Sequence, residues 1–280
     1  MAFPQSEATI PAAVLASCAS FGPADAVVDG DGRVTYAELE SLVVASTRAM
    51  IARGVGRGDR VAIWAPNGLA WILAALGAHG AGAAVVPVNT RWKGSEAAYL
   101  LRASRARVLC TVVGFLDTDT VAMLDAECGD AGFPDLELVV RLDDPAATEL
   151  PAVGPTPTVS WSTFVAGREG VTEAEARSRM ASVTPDDISD ILFTSGTTGR
   201  PKGVLMTHGQ TVRQFREWCE FAGLRPGDRY LIVNPFFHMF GYKAGWLASL
   251  MRGATIFPVP VFDVGAVLAT VEREHVTVLP

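Results

Sequence analysis

With 280 residues, 49% of them hydrophobic, the chain has ample material for a buried core and for two subdomains around it. Its formal charge of −7 excludes a broad nucleic-acid-binding surface, which needs clustered lysine and arginine, and requires any polyanion site to be cationic locally. The four cysteines, Cys18, Cys110, Cys128 and Cys219, are widely spaced and form no Cys-x-x-Cys pair, as expected of reduced structural thiols in a cytoplasmic protein.

No lysine or arginine precedes Arg33 and no long apolar run opens the chain, so a secretory leader is not expected. A short helix is predicted over 11–20, then a hairpin of 26–29 and 33–35 around Gly30-Asp31-Gly32. Thr35-Tyr36-Ala37-Glu38 is a capping box that opens a helix to about Arg53, stopped by Gly54. Alternation follows: strand 60–65, helix 68–79, strand 84–88, helix 95–104, strand 107–112, helix 117–128 and strand 137–141. Val61–Thr90 carries no lysine, arginine, aspartate or glutamate. Pro66, Asn67, His79, Pro87 and several glycines interrupt it, so it reads as a buried strand, helix and strand and not as a membrane span.

Residues 143–160, rich in proline, aspartate and threonine, read as a linker. Thr172 and Glu175 form a second capping box before a short helix. Strands 189–194 and 203–207 come next, then helix 209–221, strand 229–233, helix 242–251, strand 254–257, helix 263–273 and strand 276–279. Alternating strands and amphipathic helices imply parallel sheets covered on both faces. No short-period repeat is present.

The segment most loaded with chemistry is Thr194–Val204, Thr-Ser-Gly-Thr-Thr-Gly-Arg-Pro-Lys-Gly-Val. Glycines let backbone N–H groups converge on an anion, hydroxyls add adaptable donors, and Lys202 adds a mobile charge. These features describe a polyphosphate cradle. A Walker A loop would run Gly-Lys-Ser/Thr into a helix, whereas here Pro201 precedes Lys202 and a β-prone run follows it. The bland alternative is a surface hairpin whose glycines and threonines serve turn geometry alone.

Ser-Gly-Thr-Thr-Gly-x-Pro-Lys-Gly resembles the signature loop of the adenylate-forming (AMP-binding) superfamily, which includes acyl-CoA synthetases. Gly58–Ile63 with Asn67-Gly68, Gly80–Asn89, and Pro235-Phe236-Phe237-His238-Met239-Phe240-Gly241 resemble further family segments in the expected order. The resemblance covers about residues 20–280. Within the family, Asp187–Phe193 and Asn234–Gly245 are similar to acyl-CoA ligases of actinobacterial steroid-ring catabolism.

The resemblance implies the N-terminal part of the family's large α/β domain, built of flavodoxin-like parallel-sheet subdomains with helices on both faces. It divides the chain into a first subdomain with the N-terminal segment (1–180), the phosphate-loop hairpin (181–208) and the start of a second subdomain (209–280), with a C-terminal domain absent. The implied reaction joins a carboxylic acid to CoA through an acyl-adenylate, consuming ATP with Mg²⁺. A bulky alicyclic, steroid-derived propanoate is the implied acid, and a medium- or long-chain fatty acid is the alternative. Thr194, Ser195, Gly196, Thr197, Thr198, Gly199 and Arg200 would hold the phosphates while Lys202 neutralises charge. Phe237, His238, Phe240 and Gly241 would wall the acyl pocket.

In the family the metal-binding glutamate, ribose-binding aspartate and catalytic lysine lie beyond Pro280. The 280 residues alone are therefore expected to be inactive, and a truncated module that grips nucleotide without turnover is the rival reading. A flavodoxin-like flavin protein rests on fold analogy alone.

Individual residues keep blander readings beside these. His238 could be a core histidine, Gly241 a helix cap, and His208 a cap for the helix near Gly209. Lys243 reads as a solvated first-turn residue in preference to a partner for an anionic substrate. Glu272-x-x-His275 reads as a solvated helix end, and the histidines show no metal-ligand spacing.

Overall fold

The computed structural model describes residues 8–129, 132–147, 149–194 and 201–280. Helix α1 (Ile10–Phe21) starts where Thr9 accepts a hydrogen bond from the Ala12 amide, with proline in the first turn. Strands β1 (Asp25–Asp29) and β2 (Gly32–Thr35) form the expected hairpin. Helix α2 (Tyr36–Ala52) opens on the Thr35/Glu38 capping box. The predicted alternation follows as β3 (Arg60–Trp64), α3 (Leu69–Ala81), β4 (Ala84–Pro87), α4 (Gly94–Ser104), β5 (Val108–Thr111), α5 (Thr120–Ala126) and β6 (Leu138–Arg141).

The stretch read as a linker ends instead in a strand, β7 (Thr158–Ser160), which pairs in parallel with β6 and runs into α6 (Trp161–Ala166). Three residues after Pro155 and Pro157 are too few to display alternation, so only the pairing reveals the strand. The chain continues through α7 (Glu173–Ser182), the antiparallel pair β8 (Ile188–Thr194) and β9 (Lys202–Thr207), α8 (His208–Ala222) and β10 (Arg229–Ile232). A π-helix, Phe240–Leu247, leads into α9 (Ala248–Arg252) where an ordinary helix was predicted. β11 (Thr255–Pro258) and α10 (Val264–Glu274) complete the elements. The strand expected at 276–279 is a single parallel bridge from Val278 to Tyr230.

Two sheets result. The larger has the order β7-β6-β5-β3-β4-β8-β9 and is parallel except for its last pair. The smaller has the order β10-β11-β1-β2, with β2 antiparallel. The sheet partners cut across the division expected from sequence, because the hairpin of residues 25–35 pairs with β11, Val27 opposite Ile256.

Side-chain alternation then builds layers. Val61, Ile63, Val85, Val108 and Val140 on one face of the large sheet share a core with Val27, Tyr230, Ile232 and Ile256 of the small sheet. Helices α1, α2, α3, α8 and α9 contribute to that same core. The opposite face of the large sheet, through Ala62, Trp64, Val86, Leu109 and Val139, packs on α4 and α5. The outer face of the small sheet, through Val28, Leu231 and Phe257, packs on Val267 of α10. The architecture is α/β with helices on both faces of each sheet, as expected.

α3 lies in the middle layer, so it is apolar all round: every residue from Trp71 to Ala81 is buried. This accounts for the charge-free run of the sequence. α2 crosses α3 very closely, since a Cβ built on Gly77 would lie 2.1 Å from Ser46 Oγ and one on Gly80 2.3 Å from Thr47 Oγ1. No helix among the described residues is long and apolar enough to cross a membrane.

Candidate functional site

Open α/β sheets place ligands beyond the carboxyl ends of their strands, and two clefts lie there. One, of about 500 Å³, sits past β4 and β8 and is lined by Pro87, Asn89, Trp92, Phe193, Thr194, Val204, Phe237 and His238, among others. The other, of about 410 Å³, lies past β3, β10 and β11 between Asn67, Arg91, Val233, Val259 and Phe262. Phe237 faces both.

The β8–β9 ladder presents the two ends of the Thr194–Val204 segment to the first cleft. Thr194 pairs with Lys202 across the ladder, and Thr194 Oγ1 donates to the Lys202 carbonyl at 3.5 Å. The Lys202 residue is exposed. Ser195, Gly196, Thr197, Thr198, Gly199 and Arg200 lie outside the described residues.

The aromatic/His segment is held by a residue to which the sequence reading gave no role. Asn67, buried just after β3, accepts from the Phe236 amide at 2.7 Å and donates to the Asn234 carbonyl at 2.9 Å. Phe236 is then fully buried, edge-on to Trp71. Its neighbours Phe237 and His238 are left to line the cleft, and His238 Nδ1 accepts from the Phe240 amide at 3.4 Å. The other two expected pocket residues face elsewhere. Phe240 packs edge-on against Trp218. A side chain on Gly241 would come 2.3 Å from the Pro235 carbonyl oxygen and 2.4 Å from that of Asn234, so this glycine serves the packing of its own loop.

Lys243 corrects the expectation of a solvated residue. It is fully buried, and its Nζ lies 2.8 Å from Asp190 Oδ2 on β8, which is also fully buried. Nζ donates as well to Thr211 Oγ1 on α8 at 3.0 Å, and Ser189 Oγ donates to Asp190 Oδ2 at 2.7 Å. Burial raises the Asp190 carboxyl and lowers the Lys243 ammonium, and their mutual attraction opposes both shifts.

His208 does not cap α8. Thr207 does, in a capping box with Gln210, while His208 Nδ1 accepts from the Ile10 amide in the core. Burial pushes the His208 imidazole down to about 4. His79, 2.7 Å from the Tyr242 hydroxyl, is pushed well below its ordinary value by burial, with nearby His208 adding to the shift. Both are neutral at pH 7. Glu272 and His275 are exposed at the end of α10, and all four cysteines are buried and free. The described residues contain no group of three or more His, Cys, Asp or Glu side chains arranged to hold a metal ion.

The model of the family described as AMP-binding enzyme matches residues 15–280. The chain belongs to the AMP-binding enzyme family. Among its AMP-binding relatives, a 3-[(3aS,4S,7aS)-7a-methyl-1,5-dioxo-octahydro-1H-inden-4-yl]propanoyl:CoA ligase of Rhodococcus jostii (strain RHA1) is 45% identical. That match covers 97% of this chain and 52% of the relative. A Mycobacterium tuberculosis protein of the same name is 44% identical, over 97% of this chain and 51% of its own length. The chain therefore spans about half the length of these curated relatives. The inhibitor-bound crystal structure of the N-terminal domain of FACL13 from Mycobacterium tuberculosis superposes with a TM-score of 0.77 at 26% identity. It covers 96% of this chain and 61% of that one.

Proposed function

We propose that the chain supplies the phosphate-gripping and acid-binding face of an ATP-dependent acyl-CoA ligase acting on a bulky alicyclic propanoate. The observation that carries this reading is the single cleft shared by the foot of the phosphate loop, at Thr194, and the aromatic/His wall, at Phe237 and His238. The names of the two relatives above, both ligases of a bicyclic propanoate, support the acid class. A fatty acid is the second reading. It is favoured by more distant relatives, among them a long-chain-fatty-acid–CoA ligase of Mycobacterium tuberculosis at 29% identity and a medium-chain acyl-CoA ligase of Homo sapiens at 28%.

In the first half-reaction a carboxylate oxygen bonds to the α-phosphorus of ATP as the bond to the β-phosphate oxygen breaks and pyrophosphate leaves. In the second, the CoA sulfur bonds to the acyl carbon, AMP leaves with the mixed-anhydride oxygen, and the thiol proton passes to solvent. Both anions of the first step repel, so the protein's task is positioning and charge compensation. In this reading Thr194, Ser195, Gly196, Thr197, Thr198, Gly199 and Arg200 hold the β- and γ-phosphates, and Lys202 supplies the compensating charge. Phe237 and His238 wall the acid side, with Phe240 and Gly241 fixing their loop.

Mg²⁺, bound chiefly through the phosphates, would lower the charge of the nucleotide. The described residues offer no carboxylate set for it, and no step is assigned to it.

Titration calorimetry with ATP tests the grip. Lys202→Ala is expected to weaken binding by about 10- to 100-fold, the range of a lost charge-assisted hydrogen bond. Unchanged affinity would remove Lys202 from the phosphate site. Pyrophosphate release with alicyclic and straight-chain acids, with and without CoA, separates the alternatives when measured on this chain joined to the part of the Rhodococcus jostii ligase that the match leaves uncovered, since the 280 residues by themselves are expected to give no turnover. Turnover with bicyclic propanoates supports the ligase reading, faster turnover with straight-chain acids supports the fatty-acid reading, and binding without turnover marks a nucleotide-gripping module.

A further inference from the structure

We infer that the buried Asp190–Lys243 pair is a positioning device that holds β8, the strand feeding the phosphate loop, in register with the π-helix behind the aromatic/His wall. The inference rests on the ligase reading for its consequence in binding, and on geometry for the coupling itself.

Asp190 is the single charged residue of β8, and Lys243 the single charged residue of Phe240–Leu247. Asp190 lies opposite Val85 of β4, on the sheet face that looks into the middle helical layer. Thr194, at the foot of the loop, is four residues on from Asp190, about 13 Å along an extended strand. The pair is therefore too deep to touch a ligand in the cleft, and both side chains are completely shielded from solvent. Its effect on the site must travel through backbone.

Two features make that route specific. A π-helix has a wider turn than an α-helix, and such segments recur at functional sites. Here adjacent residues reach opposite neighbours, Tyr242 to His79 on α3 and Lys243 to Asp190 on β8. Shifting the segment by one residue toward ordinary α-helical winding turns each side chain by about 100° and breaks both contacts. Second, the pair is cross-braced: Thr211 accepts from Lys243, while Ser189 bonds Asp190 and lies 3.3 Å from Thr211. Strand, π-helix and α8 are thus tied at one point.

Stability alone does not explain such a pair, because well-packed apolar residues commonly replace a buried ion pair at no loss. What apolar residues do not reproduce is a defined register between two elements.

The test compares Asp190→Asn, Lys243→Met and the double variant Asp190→Val/Lys243→Met in the same chain. Thermal midpoints, ATP titration and amide hydrogen exchange are measured, the last for residues 191–194 and 238–242. Each single variant is expected to lower the midpoint by roughly 10 °C, since it leaves an uncompensated or half-bonded partner. The double variant is expected to recover the midpoint to within a few degrees, yet to exchange about tenfold faster in both segments and to bind ATP about tenfold more weakly. A double variant that recovers wild-type exchange and affinity together with stability overturns the inference and leaves the pair as core filling.

If the double variant does not fold, Lys243→Met is read below its own midpoint by the same two measurements, and unchanged exchange and affinity overturn the inference. Wild-type protein that binds no ATP overturns the ligase reading. Exchange then decides the coupling by itself: faster in both segments upholds it, and unchanged overturns it.

Discussion

At the scale of single residues, the site is shaped by groups whose importance is steric or hidden. Gly241 illustrates the first. Gly241→Ala forces a methyl group against two backbone carbonyls, and overpacking of this kind costs about 1–3 kcal/mol. The variant is expected to melt several degrees lower and, because the same loop sets Phe237 and His238, to bind the bicyclic acid more weakly. A thermal scan and titration calorimetry with the acid check both. Lys243 illustrates the second. A lone lysine in an apolar run next to an aromatic motif looks solvated from sequence alone, because its partner lies on a strand 53 positions earlier (243 − 190). The available signal was a matching lone aspartate in the equally apolar run Ile-Ser-Asp-Ile-Leu-Phe. The Thr35 and Thr172 caps, by contrast, were legible because both partners of a capping box lie within one turn.

At the scale of elements, periodicity was enough wherever an element was long. The strands and helices from β3 to β6 were readable, and the charge-free run was correctly a buried strand, helix and strand. It failed for β7, whose three residues show no alternation, and for the π-helix, whose extra residue leaves no mark in a hydrophobic pattern. The α2–α3 crossing supplies a prediction at this scale. Replacing Gly77 by leucine improves intrinsic helix preference by roughly 1 kcal/mol. The new Cβ, however, lands on Ser46, with its oxygen at 2.1 Å and its backbone carbon at 3.1 Å. Steric cost exceeds propensity, so Gly77→Leu is expected to lose about 2 kcal/mol or more in urea denaturation.

At the scale of the whole molecule, buried imidazoles make stability depend on pH. His208 has a folded value of about 4 against 6.5 for the unfolded chain, so between these values the unfolded state binds the extra proton. Stability is then complete above about pH 7, falls as pH drops from there toward 4, and levels off for this residue below that. The fall between pH 7.5 and pH 5 is about 2 kcal/mol from His208, and His79 acts in the same direction. His208→Asn keeps an acceptor for the Ile10 amide while removing the titration, so its urea midpoint is expected to drop less between these two pH values than that of wild type.

The sheet order also carries a consequence in time. Thr255 donates to the Asp25 carbonyl across 230 positions, so the N-terminal hairpin has no lateral partner until β11 has been synthesised. At about 5–20 residues per second that is a wait on the order of 10–50 s. The large sheet, complete by β9, is able to form during that interval, while β1 with Ala26, Val27 and Val28 is paired on its β2 edge alone. Contacts of such long range also slow folding. The opening segment of this protein is therefore among the last to find its place, and its apolar strand is where a ribosome-associated chaperone would be most needed.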